Sequence, residues 1–347
     1  MFQKQIKARI LKSFLFTFLI LAVILMIKIF YPRSYQVAQI HKRDNIQYWN
    51  LSTGSRIAYT LIPAKGQAKP FPIIFLQGGP GGFISARTVA MLSPLSENGY
   101  TIYLYDQIGS GHSARLGNIE DYTALRHKKD LEEIVGKTGA EQVILIGQSW
   151  GALLATLFMA DNPEKVRKAV FTGPGPVIPV RMELADVKAP DSLHLKEPLF
   201  TNAQANAEVR NMRSRIMLQW ALLFGSKLAT DKEADDFQTL LNNKLNKSTV
   251  CDTAKAAKAE GGGGYYAQIM TVQSFSDIQD PREKLKKSDI PVLIMKGQCD
   301  NQKWGFTSEY LQIFRHSRLV IIPDAGHSIS IEQPDLYLKT ILEFLNE

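Results

Sequence analysis

The chain has 347 residues, 45% hydrophobic and 21% charged, which leaves ample apolar material for a core. That balance excludes disordered, collagen-like and disulfide-dense classes. The net charge of +8 is confined to one end: residues 1–43 hold eight basic residues and no acidic one, so residues 44–347 carry 33 of each sign, with no surplus for a nucleic-acid backbone.

The first predicted element is apolar. Four basic residues in segment 1–12 precede the run from Phe14 to Ile27, which Lys28 interrupts and Ile29-Phe30-Tyr31 continues. Phe14 to Tyr31 spans about 27 Å as a helix, enough for a hydrocarbon core with Lys28 and Tyr31 at one interface. Residues 13–31 are therefore expected to be a single transmembrane anchor, N-terminus inside and body on the extracytoplasmic side. A cleaved signal peptide is the competing reading, but the residues after the run, KIFYPRS, offer no small-x-small site.

In the body, Ile46–Leu51 and Arg56–Ile62 flank Ser-Thr-Gly and read as a hairpin. Short runs that are apolar almost throughout follow at 72–76, 101–105, 142–146, 166–171, 291–295 and 318–322. Such runs suit strands buried on both faces of a parallel sheet. Helices are expected between them at about 84–96, 122–137, 150–161, 304–314 and 332–346. Alternating βα units predict an open, mostly parallel sheet with helices on both faces. About 120 residues after Phe171 hold no convincing core strand, too many for a structureless connection. The expectation is a core at 46–173 and 289–347 with an inserted, mainly helical cap at 174–288.

The run QVILI leads into Gly147-Gln148-Ser149-Trp150-Gly151 and then a helix-compatible stretch. This is G-x-S-x-G in strand-turn-helix context, where glycines two positions either side relieve a sharp turn and Ser149 is presented alone at a helix N-terminus. A serine nucleophile needs a base, and the base an orienting carboxylate. In this architecture they follow in the order Ser, acid, His, each just past a strand. Asp300 follows PVLIM and His327 follows RLVII. His112 is a weaker rival base, His127 and His316 sit in charged helical stretches, and Asp324 reads as a turn residue.

A tetrahedral intermediate needs two N–H donors. One is expected from Trp150, the other from the loop Gln77-Gly78-Gly79-Pro80-Gly81-Gly82, with Gly79 favoured and Gly78 second. The loop from Asp106 to Ser113 lacks the dinucleotide spacing and is expected to brace the floor of the site through Asp106 and its neighbours. Cys251 and Cys299 are able to pair in an oxidising compartment, although two isolated cysteines are more often free and buried. No motif for a metal or nucleotide occurs, so no cofactor and no metal are expected.

Together QGGPGG (77–82), DQIGSGHS (106–113), GQSWG (147–151), GQCD (297–300) and AGHS (325–328) resemble the α/β-hydrolase superfamily, and within it the proline iminopeptidase group. The resemblance covers about 46–173 and 289–347. It implies an α/β-hydrolase fold with a helical cap, and a Ser149-Asp300-His327 enzyme that removes N-terminal residues, especially proline, from short peptides. Gln77 stands where the group has His, and Ile108 where it has Arg. The group's cap carries acids that pair with the substrate ammonium. One belongs to a Trp-Glu pair, but here Ala221 follows Trp220; Glu260, before Gly-Gly-Gly-Gly-Tyr265-Tyr266, is the candidate for the other. Expected partners are a small-molecule or short-peptide substrate and, through the N-terminal helix, the membrane. An esterase of small apolar esters shares every catalytic residue, and a binding protein on this fold has no reason to keep an intact triad.

Overall fold

The computed structural model describes residues 2–347; Met1, the first residue of the expected basic segment, lies outside them. Helix α1 (Phe2–Phe30) is continuous through the basic segment and the apolar run. From Gln5 to Phe30 it is long and apolar enough to cross a membrane, with its apolar stretch unburied by the body.

The body is an eight-stranded sheet of β1 (Ile46–Asn50), β2 (Arg56–Ile62), β3 (Ile73–Leu76), β4 (Ile102–Tyr105), β5 (Val143–Gln148), β6 (Val166–Thr172), β7 (Val292–Gly297) and β8 (Ser317–Ile322). The order is β1-β2-β4-β3-β5-β6-β7-β8. The β1–β2 hairpin and the β2–β4 pair are antiparallel, and every other pairing is parallel. All eight strands stand where the apolar runs predict them, with ends differing by one or two residues. The inner parallel strands β3, β5 and β7 are buried on both faces, which is why their sequences lack polar alternation, while the edge strand β8 is mostly half-buried. Ile74, Leu76, Leu145, Phe171 and Ile294 belong to one core, and Ile73, Phe75, Ile146, Val170 and Met295 to the other.

Helices α2 (Ala86–Leu92), α3 (Ala124–Lys137) and α4 (Trp150–Asp161) follow β3, β4 and β5. The expected helix 84–96 is shorter, because a 3₁₀ turn with Pro94 continues the chain from Ser93 to Asn98. Thr123 caps α3 by accepting from Arg126 N at 3.0 Å.

Between β6 and β7 the described residues form α5 (Asn202–Val209), α6 (Met212–Phe224), α7 (Asp231–Leu245), α8 (Tyr265–Gln273) and α9 (Arg282–Leu285), joined by 3₁₀ turns. Helix α10 (Trp304–Ile313) follows β7. After β8 the expected helix 332–346 is α12 (Pro334–Asn346), preceded by one short turn, α11 (Ile329–Glu332).

Because the sheet is parallel from β4 to β8, the loops after β3, β4, β5, β7 and β8 all emerge at one edge. That edge receives 77–82, 106–113, Ser149, Asp300 and His327.

Candidate active site

Ser149 joins β5 to α4 with φ 53° and ψ −116°, a left-handed conformation that side chains rarely adopt. The flanking glycines are there for space. A Cβ on Gly147 would come within 2.6 Å of Gly151 O, and one on Gly151 would run into Leu76 O of β3. The turn is anchored by Ser149 N donating to Thr172 O at 3.0 Å.

His327 Nδ1 is 2.9 Å from Asp300 Oδ1, and both residues are buried. Burial pushes the Asp300 carboxyl up, but the Lys296 ammonium, His327 and its hydrogen bonds outweigh this and hold it at about 2. Asp300 is thus ionised at any working pH and accepts from Nδ1–H, which leaves Nε2 as the nitrogen able to take a proton. Lys296, only 2% exposed, lies 3.4 Å from Asp300 Oδ2 and donates to Gln302 O at 2.7 Å. The sequence reading did not single it out. The available signal was a lysine closing a strand in which every other side chain is apolar.

Ser149 and His327 line one cavity of about 320 Å³, as do Gly78, Gly79 and Glu260. A Cβ on Gly78 would sit 3.4 Å from Ser149 Cβ, so this loop lies directly against the serine. Gly79 has φ +132°, open to glycine and strained for other residues. Trp150 opens α4 directly after Ser149, while its indole turns away to stack on Phe275.

Gln107 joins the two expected donor segments. Its amide nitrogen donates to Gln77 O (2.7 Å) and Gly78 O (3.1 Å); its oxygen accepts from Gly81 N (3.0 Å) and Trp150 Nε1 (3.2 Å). Asp106 accepts from Ile84 N and His112 N, each at 2.8 Å, and pairs with Arg43 at 2.8 Å. The bracing expected of this loop is present. Arg43, counted with the basic N-terminus, is a buried partner of the body.

The other candidates separate. His112 faces Asp106, 3.7 Å away, and is not in the cavity wall. His127 is buried rather than exposed on its charged helix, sharing a 3.0 Å bond with Thr271 Oγ1; burial, then Arg126, pushes its pKa down to about 4. Asp324 is an exposed turn residue with φ 48°. Trp220 lies against Phe30 of α1, so the Trp-Ala pair is remote from the cavity. Glu260 stands in the cavity wall among carboxamides, including Gln77, Gln148, Gln238, Asn242 and Gln268. Gln77 Oε1 is buried there without a hydrogen-bond partner among the described residues.

Cys251 and Cys299 are joined in a disulfide, with Cα atoms 5.3 Å apart. Pairing, which the sequence left open, has a tertiary reason. Glu332 accepts from Cys251 N, Asp252 N and Gly326 N, holding the insertion against the loop that bears His327. Cys299 N donates to Ala325 O of the same loop at 2.9 Å, which brings the two sulfurs together.

A family model described as alpha/beta hydrolase fold matches residues 72–334. The chain belongs to the α/β-hydrolase fold family. This hydrolase is 25% identical over 304 residues to a proline iminopeptidase of Saccharolobus solfataricus, covering 85% of the chain and 90% of that relative. It is 32% identical over 305 residues to a proline iminopeptidase of Lactobacillus helveticus, covering 83% and 94%. The solved proline iminopeptidase of Mycobacterium smegmatis superposes with a TM-score of 0.57 at 16% identity, covering 87% of the hydrolase and 97% of that chain, a likeness of fold. The hydrolase is thus a peptidase- or esterase-type enzyme of the proline iminopeptidase-like group.

Proposed function

We propose that the chain is a membrane-anchored serine aminopeptidase of proline iminopeptidase type, acting on short peptides outside the cytoplasm. Residues 174–288 act as the cap over the site. The observation that carries the reading is the Asp300-bound His327 sharing one cavity with the strained Ser149 and the carboxylate of Glu260.

In this mechanism Ser149 Oγ attacks the substrate carbonyl as His327 Nε2 takes its proton. Asp300 keeps the ring in the tautomer with Nδ1–H and stabilises the imidazolium. The backbone N–H groups of Trp150 and Gly79, with Gly78 as the alternative to Gly79, hold the oxyanion. His327 then protonates the leaving amine, and water attacks the acyl-enzyme with His327 again as base. Glu260 pairs with the substrate ammonium, because a cation entering this wall unpaired loses several kcal/mol of hydration. The unpartnered Gln77 Oε1 is a second acceptor for it. A wall of carboxamides suits peptide groups better than the chain of an apolar ester.

Two features support the location. Helix α1 has the length and composition of a membrane span. The Cys251–Cys299 bond belongs to an oxidising compartment.

The test gives the full chain and Ser149→Ala a prolyl arylamide, its N-blocked form and a short-chain aryl ester. Cleavage of the free-amine amide alone, lost in Ser149→Ala, is the expected result. Ser149-dependent cleavage of the ester alone would replace the peptidase reading by an esterase.

A further inference from the structure

We propose that the exposed apolar edge of α6 is a second membrane contact, seated in the interfacial layer of the bilayer that α1 crosses. The inference rests on α1 being a membrane span.

The join between α1 and the body is bonded rather than loose. Arg213 of α6 donates to Ile29 O in the last turn of α1. The same guanidinium pairs with Glu233 of α7 through bonds of 2.8 and 2.9 Å, with both side chains buried. Glu233 in turn accepts from Arg33 N at 3.1 Å. Phe30 meets the edge of Trp220, their ring centroids 6.2 Å apart, and Trp220 packs on Phe224 at 4.7 Å. The exit point of α1 therefore fixes where α6 stands.

That exit point is the membrane surface. Tyr31 closes the apolar run, and tyrosine and tryptophan favour this layer, where an apolar ring meets a wet edge. Trp220, its Nε1 donating to Ser226 Oγ at 3.0 Å, lies at the same level through Phe30. Beside it Leu223 is 72% exposed and Phe224 62%, with Met212 and Leu222 also exposed on the helix. Large apolar side chains grouped at the end of a helix are costly in water. At this position they are continuous with the apolar surface of α1, so the bilayer that covers α1 reaches them. A second protein partner would have to compete with lipid already at Phe30.

The test uses the full chain in vesicles of phosphatidylcholine and phosphatidylglycerol, with Leu223→Cys carrying a bimane fluorophore; the native cysteines are bonded to each other and do not react. Glu141→Cys is the control, an exposed site just before β5 at the end of the sheet opposite the insertion. The expected result is a blue shift at Leu223→Cys and quenching by lipids brominated high on the acyl chain, with neither at Glu141→Cys. A Leu223→Cys probe as wet and unquenched as the control, on a chain that resists extraction at alkaline pH, overturns the α6 contact and leaves the span intact. Quenching at Leu223→Cys on a chain that alkaline pH strips off overturns the span, and with it the contact as one made beside a crossing helix.

Discussion

The amide oxygen of Gln107 accepts a 3.2 Å hydrogen bond from the indole of Trp150, the residue immediately after Ser149. The other bonds of the same amide go to the backbone of Gln77, Gly78 and Gly81. One side chain from the loop after β4 thereby sets the spacing between the two segments expected to bind the oxyanion. Gln107→Ala is expected to lower kcat by about 10²-fold with KM little changed, the effect of displacing donors that act on the transition state. Steady-state kinetics beside a circular dichroism spectrum would check it; a KM effect alone would assign Gln107 to substrate binding.

Lys296 stands behind the acid. Removing its ammonium leaves the buried Asp300 carboxylate without its nearest cation, and breaking such a pair costs about 3–5 kcal/mol. Asp300 is depressed in the folded state, so its stabilising contribution is present above the ordinary carboxylate range and is lost as pH falls towards about 2. In Lys296→Met the folded carboxyl rises towards its unfolded value, so the stability it adds at neutral pH and the part of the acid loss it causes both shrink. Urea midpoints measured between pH 3 and 7 should show a lower plateau and a shallower acid fall than the native chain.

His127 has the opposite linkage to a salt-bridged histidine. Its folded pKa of about 4 lies below the unfolded value, so between about 6.5 and 4 the unfolded chain takes up a proton that the folded chain does not. Stability is complete above this window and falls as pH drops through it, by up to about 3 kcal/mol from this group. Burial raises Asp130 and Asp235 to about 6, and these contribute the reverse slope over part of the same range. The native chain alone would hide the effect. Comparison with His127→Gln cancels the shared carboxylates. The stability of the native chain relative to that variant should fall from pH 6.5 to 4; a constant difference would place the charged ring in the folded state.

The disulfide closes a loop of 48 residues, worth about 4 kcal/mol by the chain-entropy argument. Cys299 also precedes Asp300. Reduction, or Cys251→Ser with Cys299→Ser, is expected to lower Tm and to reduce kcat through a looser Asp300–His327 pair. Activity retained in full by a destabilised variant would confine the bond to stability.

The sheet was legible because burial on both faces leaves a local mark, a short apolar run of strand length. Ser149 was legible for the same reason: strand, glycine, serine, glycine and helix are contiguous. Asp300 and His327 could be read from strand order alone. What escaped depends on residues distant in sequence. Nothing near Arg43 indicates Asp106, 63 residues away, and nothing near Cys251 indicates the Glu332 carboxylate that brings it to Cys299. His127 sits in a charged helical stretch, and only the packing of α8, through Thr271, shows that it faces inward.

The bond between Cys251 and Cys299 also changes what a protease can do to this molecule. The exposed lysines at 255 and 258 lie between the two half-cystines. A cut at either opens the backbone beside Glu260 yet frees no fragment, since both pieces remain tied through sulfur. Nicked molecules would migrate as one band until a thiol is added, and then as two.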